Sequence, residues 1–131
     1  MTTTAAAAGI RHYIGTFPAD PAQVRHARAA LAAMLHGCPR ADYAILIASE
    51  YATNSVLHSA SRDGGDFILR AEVHLDHIRI EVEDAGGPWH ARPREDGCPH
   101  GFDVVEAIAG PQDWGINGNT SGRIAWAMLS W

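Results

Sequence analysis

The sequence predicts an α+β protein, a two-layer sandwich with helices grouped on one face of a mostly antiparallel sheet. Three observations predict it. Phe67, Leu69, Ala71 and Val73 alternate with polar residues, and Ile78, Ile80 and Val82 do the same with Arg79, Glu81 and Glu83 between them. Leu75-Asp76-His77 is a connection short enough for a hairpin between these two runs. Apolar residues at helical spacing precede this pair, and a shorter helical pattern with two strand-like runs follows it.

In chain order, Arg11 to Phe17 reads as a first strand. Asp20-Pro21-Ala22-Gln23 then combines an acceptor cap, a proline at the first helical position and a glutamine three residues after the cap, which together start a helix. Val24, Ala27, Leu31 and Leu35 form its apolar stripe, and Gly37 ends it. Pro39 opens a second helix to about Ser59. Residues 61–66 are rich in turn formers, and residues 86–100 hold three prolines, two adjacent glycines and several charges, a connection long enough to form a lid. A third helix begins near Gly101, and two strands, near Gln112 to Ile116 and Arg123 to Ser130, complete the pattern. Trp114, Trp126 and Trp131 fall in or beside them, where burial within the sheet is the default, whereas Trp89 falls in the lid segment.

With 131 residues, 47% of them hydrophobic, the chain can bury one core, so we expect one domain over residues 11–131 behind a flexible arm of residues 1–10. The Thr- and Ala-rich start has neither a basic segment nor a long apolar run, which predicts a cytoplasmic protein without a membrane span. A formal net charge of −5 offers no basic footprint for nucleic acid. Cys38 and Cys98 are expected as free thiols, and the spacing of His90, Cys98 and His100 matches no compact zinc motif.

The chemistry concentrates at two places. Glu50 and Asn54 stand at i and i+4, with His58 extending the row, so they share a helix face with about 5–6 Å between their Cβ atoms. Such a pair is either a solvated face or, among the small and apolar residues found here, a set of polar groups that bind something. Asp84 continues the inward register of Ile78, Ile80 and Val82 and is followed by Ala85-Gly86-Gly87-Pro88. It reads either as a turn acid or as a carboxylate at a pocket rim, with glycine allowing close approach.

Glu50-x-x-x-Asn54 resembles the N-box of the GHKL ATPase superfamily, and Asp84-x-Gly86 resembles its adenine-contacting motif. Gly101 to Ala109, Trp114-Gly115 and Gly122-Arg123-Ile124-Ala125-Trp126 follow in the order found in small bacterial anti-sigma-factor serine kinases. The similarity runs from about Arg11 to Trp131. It implies the Bergerat ATP-binding fold with ATP and Mg2+ as cofactors. It further implies Glu50 as the general base, Asn54 as the Mg2+ ligand, Asp84 as acceptor of the adenine amino group, and Gly86 as the residue that lets the ring approach. Gly101 would offer backbone N–H to phosphate. The partners implied are a sigma factor and an anti-anti-sigma protein of the STAS type, with a homodimer left open.

Two departures stand out. The family's Gly-x-Gly appears as Pro99-His100-Gly101, which removes a donor, and Ile124 stands at the family's threonine beside the adenine-binding carboxylate, inside the expected base pocket. Two readings therefore stay open: an ATP-dependent serine kinase that sequesters a sigma factor, and a protein-binding module of the same fold with weak or no turnover.

Overall fold

A computed structural model describes residues 2–3, 11–59, 64–86, 101–119 and 122–131. The chain order is β1 (Thr2–Thr3), β2 (Arg11–Pro18), α1 (Pro21–Met34), α2 (Ala41–His58), β3 (Asp66–Val73), β4 (His77–Asp84), α3 (Gly101–Ala109), β5 (Trp114–Asn119) and β6 (Gly122–Ser130). The strands form one sheet in the order β1-β2-β3-β4-β6-β5, and every pair is antiparallel. Because β4 and β6 lie side by side while α3 and β5 come between them in sequence, the end of β4 meets the start of β6, with Asp84 opposite Arg123.

The two-layer sandwich follows from period-two burial. In β3 the residues Phe67, Leu69, Ala71 and Val73 are buried, in β4 Ile78, Ile80 and Val82, and in β6 Ala125, Ala127 and Leu129. Leu31 and Leu35 from the first helical segment, Ile47, Ala48, Tyr51, Ala52 and Val56 from α2 and Val105 from α3 pack over them. The outer face carries Arg70, Arg79, Glu81 and Glu83 as a half-exposed charge ladder, with Arg70 paired to Glu83 at 2.8 Å and Arg79 to Glu81 at 2.8 Å. Such pairs contribute at most about 1 kcal/mol each, so they keep that face wet more than they hold the fold.

The caps match the expected helix punctuation. Asp20 accepts from the Ala22 backbone N–H at 2.9 Å with Pro21 next in line, and Gly37 has φ +81°, which ends the first helical segment. α2 starts at Ala41, two residues later than Pro39 suggested, because Arg40 takes a left-handed conformation with φ 60°. Its guanidinium compensates for that cost by donating to the carbonyls of Ser130 at 3.0 Å and Ile108 at 2.9 Å, tying the start of α2 to the end of β6 and the last turn of α3.

Some expectations change. Thr2–Thr3 pair with His12 and Tyr13, so part of the expected arm is an edge strand. The tryptophans are less buried than their strands suggested: Trp126 lies on the outer face under the Arg79 guanidinium, 4.8 Å from its ring centroid, and Trp131 is exposed. Trp114 is half-buried and stacks on Phe102 at 5.8 Å. Trp89, Cys98, the His90/His100 pair and the lid fall outside the described residues.

Candidate functional site

The site lies where the second half of α2 crosses the end of β4. In α2 the buried stripe of Ala48, Tyr51, Ala52, Ser55 and Val56 faces the sheet, and Glu50 and Asn54 sit one step around the helix, half-buried. Neither makes a side-chain hydrogen bond or ion pair among the described residues, so a carboxylate and an amide oxygen one turn apart are both available to a ligand. His58, which extends the row, is exposed.

Two bonds fix this helix against the sheet. Tyr51 Oη donates to the Trp126 carbonyl at 2.8 Å, and burial pushes its phenol pKa well above the ordinary value. The second is Ser55 Oγ, which donates to Asp84 Oδ2 at 2.6 Å. Asp84 is buried, as its inward register predicted, and it holds three donors. Besides Ser55, the Gly86 backbone N–H reaches Oδ1 at 2.7 Å, and Arg123 Nη2 reaches Oδ2 at 2.8 Å. Gly86 has φ +73°, a conformation that glycine adopts without steric cost, and this turns its N–H back onto the carboxylate.

The expected place of Ile124 is corrected by the strand register. Antiparallel partners share a face, so Asp84 meets Arg123, while Ile124 pairs with Glu83 and points to the opposite, half-exposed side. A one-residue difference in a strand reverses the face, and the residue beside the buried carboxylate is therefore an arginine, not an isoleucine. Ser55 and Arg123 are the site residues that motif matching missed. Both carried a signal: a serine on the Ala48, Tyr51, Ala52 stripe, and an arginine in phase with Ala125, Ala127 and Leu129. Gly101 is the first residue of α3, as expected, whereas Pro99 and His100 are outside the described residues.

α3 closes the site from the side. Phe102 packs between Tyr51, at 6.3 Å and tilted, and Trp114, so the N-terminal turn of α3 is anchored to both the helix and sheet layers. The parts fit a nucleotide: a buried carboxylate acceptor at a strand end, a glycine at positive φ beside it, two uncommitted oxygen ligands on α2 and a helix start nearby.

Helices over an antiparallel sheet, with an acid and an amide on α2 next to an inward carboxylate, define a nucleotide-binding α+β sandwich. The family model for the histidine kinase-like ATPase domain matches residues 17–117, and the chain belongs to that family, within the GHKL superfamily. No curated protein matches the chain. The family carries ATP binding. Among the described residues no helix is long and apolar enough to cross a membrane, and no group of histidine, cysteine and acidic side chains is arranged to hold a metal ion.

Proposed function

We propose that this histidine kinase-like ATPase domain is a regulatory serine kinase that binds Mg-ATP, sequesters a sigma factor and phosphorylates a small STAS-type antagonist of that sequestration. The observation that carries the reading is the pairing on α2 of Glu50 and Asn54, both half-buried and uncommitted, one helical turn apart and joined to Asp84 through Ser55.

In this reading Asn54 holds the cation through its carbonyl oxygen, a hard neutral donor of the type Mg2+ accepts while keeping several waters. Mg2+ held there would supply positive charge to offset that of the phosphates. Glu50 takes the proton from the attacking serine hydroxyl, for which a carboxylate on the same helix face is suitably placed. Asp84 reads the base, Gly86 leaves room for it, and the Gly101 N–H faces phosphate.

The experiment is transfer of label from γ-labelled ATP to a panel of STAS proteins from the same genome, comparing wild type with Glu50→Gln. Labelling of one partner by the wild type, with label lost in Glu50→Gln while ATP binding persists, is the expected result. A second reading, a protein-binding module without turnover, is favoured by the Asp84–Arg123 pair, which occupies the carboxylate that should grip the base. It predicts partner capture with no labelling by either protein.

A further inference from the structure

The chain contains no lysine, so arginine carries all of its permanent positive charge. Most of the described arginines are committed within the fold. Arg11 donates to the Met34 carbonyl and to Cys38 Sγ, Arg40 donates to the carbonyls of Ser130 and Ile108, and Arg70, Arg79 and Arg123 pair with carboxylates. Arg25 and Arg28 differ. They are exposed, stand at i and i+3 on one face of α1, and make no side-chain hydrogen bond or ion pair among the described residues. α1 contains no acid, so nothing on their own helix offsets the repulsion between these neighbouring like charges.

Both arginines line a pocket of about 330 Å³ between α1 and α2, a volume at the lower end of the range for small-molecule sites. On the α2 side it is lined by Ser49 and Thr53, half-buried and one helical turn apart. Their hydroxyls make no side-chain hydrogen bond among the described residues, whereas Ser55 and Ser59 both donate within the fold. Val24 and the buried Val56 supply the apolar part of the lining. A guanidinium only donates, and a hydroxyl donates readily, so the ligand that satisfies this set is an acceptor-rich anion. A phosphate monoester brings three terminal oxygens and up to two negative charges, which matches two guanidiniums better than a carboxylate with two oxygens and one charge. The phosphate group fills a part of the volume and leaves the rest for a small apolar body against the valines.

We propose that the pocket between α1 and α2 binds a small phosphate monoester with an apolar body: Arg25 and Arg28 grip the phosphate, the Ser49 and Thr53 hydroxyls donate to its remaining oxygens, and the body lies on Val24 and Val56. Ser49 and Thr53 immediately precede Glu50 and Asn54, yet they line the side of α2 turned to α1. The pocket is therefore separate from the candidate nucleotide site, and it stands whether or not the nucleotide reading holds.

Phenyl phosphate is the probe, titrated into 15N-labelled protein in Mg2+-free buffer at fixed ionic strength and followed by amide chemical shifts. The expected result is saturable binding with a Kd of about 1 mM or tighter, with the largest shifts at Arg25, Arg28, Ser49 and Thr53. Inorganic phosphate, which lacks the apolar body, and phenyl sulfate, which lacks the second charge, should each bind at least about fivefold more weakly. The double variant Arg25→Gln/Arg28→Gln should lose more than about tenfold in affinity while unfolding at the wild-type temperature, since both side chains are exposed. Arg25→Lys/Arg28→Lys keeps the charge without the planar fork and should fall between the two.

No saturable shift below about 10 mM phenyl phosphate, or shifts centred on other residues, overturns the proposal, and this arm needs no variant. Unchanged affinity in the folded glutamine double variant overturns it as well. A phosphoserine peptide that binds more than about tenfold tighter than phenyl phosphate also overturns it, because the groove is then built for a protein segment and not for a free small ester.

Discussion

The two ends of the site are built on opposite principles. At the β4 end, Asp84 is buried, charged and surrounded by Ser55, Gly86 and Arg123; on α2, Glu50 and Asn54 are half-exposed and hold no side-chain partner among the described residues. The first arrangement is part of what keeps the protein folded, and the second contributes little to folding and is kept available for a ligand. A group that already has its hydrogen bonds cannot be removed cheaply, whereas one that waits for a ligand can be changed with little structural consequence.

The comparison breaks most visibly at Asp84. Asp84→Ala takes the carboxylate away from the buried Arg123 cation, so chemical denaturation should show a loss of about 3–5 kcal/mol, the usual result of removing one partner of a buried pair. If the loss stays under about 1 kcal/mol, water or another group already solvates the arginine and the two ends do not differ in kind.

Glu50→Gln is the opposite case. We expect stability within about 0.5 kcal/mol of wild type, while phosphoryl transfer falls by about 10²–10⁴, the usual effect of losing a general base. A variant that transfers phosphate at the wild-type rate excludes Glu50 as the base.

Tyr51 sharpens the boundary between the two ends, because it lies on the same helix as Glu50 yet belongs to the buried stripe. Tyr51→Phe removes the donor to the Trp126 carbonyl and should cost about 1–2 kcal/mol. It also has a pH signature. Burial raises the folded-state pKa of Tyr51, so the unfolded chain gives up its proton first as pH climbs. Stability is therefore fully present below the ordinary tyrosine pKa and is lost above about pH 10 at up to roughly 1.4 kcal/mol per pH unit. Tyr13, shifted in the same direction by burial, adds to the slope, and Tyr51→Phe should remove the larger part of it.

The smallest effect expected is at Ser55. Ser55→Ala takes one donor from Asp84 Oδ2 but leaves the arginine and the Gly86 N–H in place, so the cost should be about 1 kcal/mol by urea denaturation. A loss approaching that of Asp84→Ala would mean that the serine, and not the ion pair, holds the carboxylate.

Much of this was legible along the chain. Period-two alternation sets which side of β3 and β4 faces the core, and by itself it puts Asp84 inward, because residue identity along a strand decides its two faces. The row Glu50–Asn54 could be read the same way, from the 3.6-residue period of the helix. The cap at Asp20 and the stop at Gly37 are local too, since each is satisfied within a few residues.

What the sequence could not determine is which residue of β6 faces Asp84. Motif order drew attention to Ile124, and only the register of β4 against β6, a contact across 39 positions, puts Arg123 there. Register between strands so far apart is decided by the whole sheet and the helices packed on it, and a shift of one residue exchanges a hydrophobic neighbour for a cation. In the same way, the serine that joins α2 to β4 and the arginine at φ 60° that joins α2 to α3 and β6 act through partners distant in sequence. The polar side chains were therefore visible in the sequence, but their partners, and so the internal occupancy of the buried Asp84 carboxylate, were settled by tertiary packing alone.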